Sequence, residues 1–182
     1  MLELSMNILD IVENSTRAGA TLVRIGITED REHDLLRIEI ADNGEGMEPD
    51  VVKKVLDPFY TSKTVRRVGL GLPMLSQAAK LTGGGCTIES KKGKGTTVTA
   101  DFGYRHIDRQ PLGDMAATMT AMIAGTPGVD FMYTHASGGE VYTLDTREVK
   151  SEMEDVPIDH PAVLQFIKEN IRDGLKEIGA GR

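Results

Sequence analysis

Asp10 and Asn14 lie four residues apart, so on a helix their side chains stack one turn above the other. An asparagine carbonyl is a good ligand for a hard ion such as Mg2+, which also takes phosphate oxygens and water. A carboxylate one turn away can orient or deprotonate a nucleophile attacking a terminal phosphate. The pair equally fits the solvated face of an amphipathic helix. A second cluster, Asp42-x-Gly44-x-Gly46-Met47, ends a strand-like run. A buried carboxylate there can accept a hydrogen bond from the exocyclic amine of adenine, a donor that guanine lacks at that edge. The glycines let the backbone turn sharply and approach a flat ring. An ordinary glycine-rich turn would use the same residues.

Third comes Asp57-Pro58-Phe59-Tyr60-Thr61-Ser62-Lys63. Proline stiffens its entry, two adjacent aromatics can pack over a ring or anchor the loop, and Lys63 offers phosphates a point charge. In a chain only 4% aromatic, a plain exposed loop leaves the Phe-Tyr pair unexplained. Fourth is Val68-Gly69-Leu70-Gly71-Leu72-Pro73, where glycines open a helix. Helix N-termini attract anions through unpaired N–H groups and the dipole, so a triphosphate suits one. A single GxG says little; its order and distance from the other three clusters say more.

These clusters need elements to hold them. Residues 4–20 read as a helix, with Leu4, Ile8, Ile11, Val12 and Ser15 on one side and Asp10, Asn14 and Arg17 on the other. Strands are expected over 22–28 and 35–41, joined by a charged turn at 29–34. A short helix follows at 50–56, loop chemistry over 57–71 and a helix over 72–82. Two more strands, 86–90 and 96–102, flank a basic glycine turn. Beyond residue 103 the pattern gives a helix over 111–124, a hairpin of 129–136 with 140–146, an acid-rich linker, and a final helix over 161–178. Leu164, Ile167, Ile171, Leu175 and Ile178 stripe that last helix, either completing the core or docking a partner or second copy.

The 182 residues suffice for one core, or one core and a small appendage. Net charge is −7. Residues 1–103 carry 13 basic and 15 acidic side chains, and residues 104–182 carry 8 and 13. A phosphate-backbone binder needs a basic face, so nucleic acid is not an expected partner. No apolar run reaches the roughly 20 residues that span a bilayer, and Met1 opens directly into a helix. The expectation is therefore a cytoplasmic protein with no membrane attachment. Cys86 is the single cysteine, which excludes an internal disulfide, and is read as a buried, inert thiol.

In order and spacing the four clusters resemble the N, G1, F and G2 boxes of the GHKL superfamily, which joins gyrase B, Hsp90, histidine kinases and MutL. The carrying residues are Ile11-Val12-Glu13-Asn14-Ser15-Thr16-Arg17-Ala18-Gly19-Ala20-Thr21, then 42–47, 57–63 and 69–72. The first box is most similar to MutL. The third and fourth, with Gly93-x-Gly95-Thr96-Thr97, are most similar to histidine-kinase catalytic domains. The resemblance implies an α/β fold, a two-layer sandwich of the Bergerat type with a mixed sheet covered on one face by helices. It would occupy residues 1–103, leaving 104–182 as a small α+β extension.

It also implies ATP and Mg2+ as ligands. Asn14 would hold the metal and Asp42 would read adenine. Gly44 and Gly46 would shape the floor, with Met47 against the base, and Thr96 would hold the Asp42 side through a hydroxyl or water. Lys63, Gly69, Leu70 and Gly71 would meet phosphates beneath a lid at 57–68. ATP-hydrolysing relatives usually carry glutamate four residues before the metal asparagine, and histidine kinases often carry asparagine. Asp10 is acidic but one methylene shorter than glutamate, and a displacement on the order of 1 Å can cost about 10²-fold in rate. Hydrolysis is thus expected to be slow, to run through Glu13, or to need a partner; Glu13 fits an ion pair with Arg17 equally well.

Only 13 residues precede Asn14, so no phospho-acceptor hairpin is expected before it. His33, His106, His135 and His160 are read as ordinary surface or strand-end histidines. Three functions compete: an ATP-dependent switch or weak ATPase acting on a regulatory partner protein, a kinase acting in trans like the stand-alone anti-sigma-factor kinases, and a non-catalytic ATP sensor. A homodimer is compatible with each.

Overall fold

The computed structural model describes residues 3–56, 70–153 and 155–181. Helix α1, Leu4–Arg17, buries Leu4, Ile8, Ile11 and Val12, the stripe that its 3.6-residue period sets. Strands β1, Leu22–Asp30, and β2, Leu35–Asp42, alternate buried and exposed positions, as a half-buried strand must. A short α2, Pro49–Val52, precedes the undescribed 57–69. Helix α3, Gly71–Leu81, follows, then β3, Gly85–Lys91, and β4, Gly95–Gly103. The remaining elements are α4, Met115–Gly125, β5, Asp130–Ser137, β6, Glu140–Asp145, α5, Thr146–Glu152, and α6, Pro161–Glu177.

The six strands form one sheet in the order β3-β4-β2-β1-β5-β6. β1 and β5 run parallel, and the other neighbours are antiparallel. One face turns Val23, Ile25, Ile27, Leu36, Ile38, Ile40, Val98, Phe102, Phe131 and Tyr133 towards the helices. Each such side chain contributes about 1.5–3 kcal/mol on burial. The opposite face carries Arg24, Arg37 and Glu39 in solvent, with Arg37 forked onto Asp101 at 2.7 and 2.8 Å. The fold is therefore the expected α/β two-layer sandwich, a mixed sheet with helices on one side. No helix among the described residues is long and apolar enough to cross a membrane.

Past residue 103 the chain stays in the same sheet, β5 lying along β1 from Leu22↔Asp130 to Glu29↔Ser137. α4 packs on α6, and Met115, Met119, Ile123, Val163, Ile167 and Ile171 share the core with the α1 stripe.

Four expectations need correction. Glu29 is not in a turn: it ends the buried face of β1, 5% exposed. His135 is not a surface histidine either, being 1% exposed, with Nε2 2.9 Å from Glu29 Oε1 and Nδ1 2.7 Å from the Tyr133 hydroxyl. The stretch read as linker contains α5, whose seven residues are too few to display a period. Asp145 caps it by accepting from Arg147 N at 2.9 Å. Finally, α4 begins at Met115 rather than 111, because Asp114 caps it by accepting from Ala117 N.

Candidate functional site

Asp42 ends β2 opposite Thr96 of β4. Its Oδ2 accepts from Ser15 Oγ at 2.7 Å and its Oδ1 from Gly44 N at 2.9 Å. A helix and a turn thus fix the carboxylate, leaving lone pairs for a further donor. The adjoining Asn43 ties β2 to the start of β1, Oδ1 accepting from Thr21 N and Leu22 N at 2.9 and 3.0 Å. Gly46 turns the chain at φ +66, where a Cβ would run into the Lys91 carbonyl, so this position needs glycine. Met47 N donates to Ser90 Oγ at 2.8 Å, and Ser90 Oγ lies 2.8 Å from Thr96 Oγ1. Gly44, Gly46, Met47 and Thr96 accordingly surround the Asp42 end of the sheet, with the Thr96 hydroxyl on Ser90 and the Ser15 hydroxyl on Asp42.

α1 places Asn14 one residue before Ser15. The Asn14 Nδ2 is buried and has no hydrogen-bond partner among the described residues, which is uncommon for a buried amide. One turn earlier, Asp10 is exposed at the point where α3 begins. A Cβ on Gly71 would stand 2.6 Å from the Asp10 Cβ, so the absent side chain lets α3 start against α1. Among the described residues no side chain caps α3, and its first N–H groups have no intrahelical partner. Leu70, just ahead, is 62% exposed. The Asp10 carboxyl is held above its ordinary value by partial burial and by the neighbouring Glu13 charge, against the opposing pull of Arg17.

Glu13 does not join this group. It pairs with Arg17 at 2.7 Å, both side chains about half exposed, and lines a cleft on the other flank of α1 with Val12 and Met122. Lys63, Gly69 and the lid at 57–68 lie outside the described residues. The structure thus brings together Asp10, Asn14, Asp42, Gly44, Gly46, Met47, Leu70, Gly71 and Thr96 at one end of the sheet.

Sequence reasoning missed Ser15 and Ser90. Ser15 carried a usable signal, as a polar side chain on a buried stripe has to find a partner. Ser90 carried none, because its role depends on the β3–β4 register. Cys86 is half-buried, and burial pushes its thiol up to about 11, consistent with an unreactive group.

Residues 2–106 match the family described as histidine kinase-, DNA gyrase B-, and HSP90-like ATPase, and the chain belongs to it. It is 43% identical over 67 residues to the sensor kinase CckA of Brucella abortus, covering 36% of this chain and 7% of that protein. It is 34% identical over 103 residues to the sensor histidine kinase WalK of Bacillus subtilis, covering 54% of this chain and 16% of that one. The non-motile and phage-resistance protein of Caulobacter vibrioides is 29% identical over 118 residues, 62% of this chain and 14% of its own length. The chain thus spans under a fifth of the length of these relatives. Among solved structures, the N terminal domain of a DNA repair protein superposes with TM-score 0.55 at 18% identity, covering 80% of this chain and 53% of that one, a likeness of fold alone.

Proposed function

We propose that this protein binds ATP with Mg2+ and acts as a nucleotide-dependent regulatory switch with slow ATP hydrolysis, addressed to a partner protein. The observation that carries this reading is the Asp42 carboxylate, fixed by the Ser15 hydroxyl and the Gly44 N–H, with Asn14 next to Ser15 on α1 and Asp10 one turn earlier against the start of α3. These would supply an acceptor for the adenine amine, an amide oxygen for a hard cation and a positive helix end for phosphates. The chemistry present fits Mg2+: the Asn14 amide oxygen is a hard ligand, and the Asp10 carboxylate one turn away is left for the attacking water. When bound, that ion would neutralise phosphate charge. In hydrolysis, Asp10 accepts the proton of a water whose oxygen bonds to the γ-phosphorus, while the bond to the β,γ-bridging oxygen breaks to leave ADP. The short aspartate side chain supports slow turnover. Glu13, engaged with Arg17, serves the α1 surface in this reading rather than the base.

Titration calorimetry with MgATP should show uptake by the full chain and none by Asp42→Ala. Asp10→Asn should retain binding and lose at least 10-fold in phosphate release. Turnover that survives in Asp10→Asn removes the aspartate from the base role, and absence of any uptake by the wild-type chain ends the ATP reading. With γ-labelled ATP, label appearing on a partner instead of as free phosphate would replace the switch with a kinase acting in trans. Intact bound ATP would leave a sensor without turnover.

A further inference from the structure

β6 is the outermost strand of the sheet, beyond β5. Gly138 and Gly139, at φ +60 and +87, make the two-residue turn that joins them. Ser137 and Glu140 close that turn as the first ladder pair, so alternation points the backbone N–H and C=O of Val141 and Thr143 away from β5. Among the described residues nothing pairs with them. Natural edges are usually guarded by lysine, proline, a bulge or a covering loop. β6 reads Glu140-Val141-Tyr142-Thr143-Leu144-Asp145 with a regular register, and Val141 is 61% exposed.

On the helix side of this edge lies a cleft of about 290 Å3 between Tyr142 and α6. The Tyr142 ring rests against the α6 backbone at Gly174, and its hydroxyl donates to Asn170 Oδ1 at 2.6 Å. Phe166, 52% exposed, forms one end. Glu169, Asp173 and Glu177 line the remainder. Among the described residues no lysine or arginine comes within ion-pair range of these three carboxylates. Arg172 of the same helix turns to Asp114 at 3.0 Å.

We propose that the β6 edge and the acidic flank of α6 form a docking surface for an extended basic segment of a partner protein, added as a seventh strand. Backbone pairing would supply affinity, and side-chain alternation would supply specificity. Every second residue of the incoming strand falls on the side of Tyr142, where lysine or arginine meets Glu169, Asp173 and Glu177. The intervening residues fall beside Val141, where small β-branched side chains fit. A second copy of this chain is the wrong occupant, since β6 against β6 sets Glu140 and two acidic α6 flanks against each other. The surface lies apart from the Asp42 site and does not rest on nucleotide binding.

The test uses the full chain without nucleotide and a fluorescein-labelled peptide alternating lysine with valine and threonine, read by anisotropy at 150 mM salt. The lysine peptide should bind at least 10-fold tighter than its glutamate counterpart. Glu169→Lys with Glu177→Lys should reverse that preference. Val141→Pro removes an outward N–H while sparing the ladder to β5, and should weaken binding at least 5-fold with the melting temperature kept. In the wild type, amide shifts should centre on Val141 and Thr143. Equal binding of both peptides overturns the proposal. So does undiminished binding of a peptide interrupted by proline, which would mean charge attraction alone. Sedimentation showing dimers that Val141→Pro dissolves would assign the edge to a second copy and overturn it as well.

Discussion

Two carboxylates, Asp42 half-buried and Glu29 buried, show how the same group is put to different use by its partners. Asp42 keeps spare acceptor capacity, because among the described residues one hydroxyl and one N–H reach it. Ser15→Ala removes the hydroxyl and should weaken adenine-nucleotide affinity about 10-fold, the worth of one hydrogen bond to a charged group, with little change in melting temperature. Calorimetry on the pair of proteins checks it. Glu29 is saturated instead. Burial opposes its ionisation, but hydrogen bonds from His135, the Gly181 N–H and Tyr104 outweigh it and hold the group at about 2, against an ordinary 4.5. The arrangement that satisfies every atom has His135 Nε2–H donating to Glu29 while Nδ1 accepts from Tyr133. A depressed carboxyl contributes stability that is whole above pH 4.5 and lost as pH falls through about 2. The full contribution is about 3 kcal/mol. Glu29→Gln should lower stability at pH 7 by roughly that amount and flatten the acid limb over that window, read by urea unfolding at several pH values.

At the scale of elements, the site depends on how close α1 and α3 come. Gly71 sets that distance, since a methyl group there would stand 2.6 Å from the Asp10 Cβ. Alanine is intrinsically the better helix former by about 1 kcal/mol, whereas forcing two packed helices apart costs about 1–3 kcal/mol. Gly71→Ala should therefore change the melting temperature little and lower MgATP affinity more than 10-fold, because the phosphate-facing end of α3 moves. A variant with normal affinity would show that α3 does not face the phosphates. The end of β2 is braced in the same way by Asn43, which joins two strand ends, so the Asp42 turn is positioned by sheet register rather than by loop sequence alone.

Over the whole molecule, the residues after 103 complete the layer that carries the site. α4 and α6 pack together beside α1, and β5 flanks β1. Ile171 of α6 is fully buried in the shared core, so Ile171→Ala should cost about 2–5 kcal/mol. A single cooperative transition, followed by circular dichroism and by a probe near α1, should shift as one. Two separated transitions would show that the α6 region unfolds alone. The Glu29 network adds a second tie, since Arg31 donates to the Gly179 carbonyl at 2.8 Å and Gly181 N to Glu29 at 2.8 Å.

The order of helices and strands was legible from the chain alone, because hydrophobic period is a local property: α1, β1, β2, α3, β3 and β4 fall within one to three residues of their expected ends. Asp10, Asn14, Asp42 and Gly71 carry the family resemblance by residue type and separation, which a chain alone displays. Tertiary structure alone decided which hydroxyl grips Asp42, since Ser15 and Asp42 are 27 residues apart. It alone turned Glu29 and His135 from apparent surface charges into a buried pair, for they meet only through the parallel register of β1 and β5. Partners that distant are chosen by strand pairing, which no short window of sequence encodes.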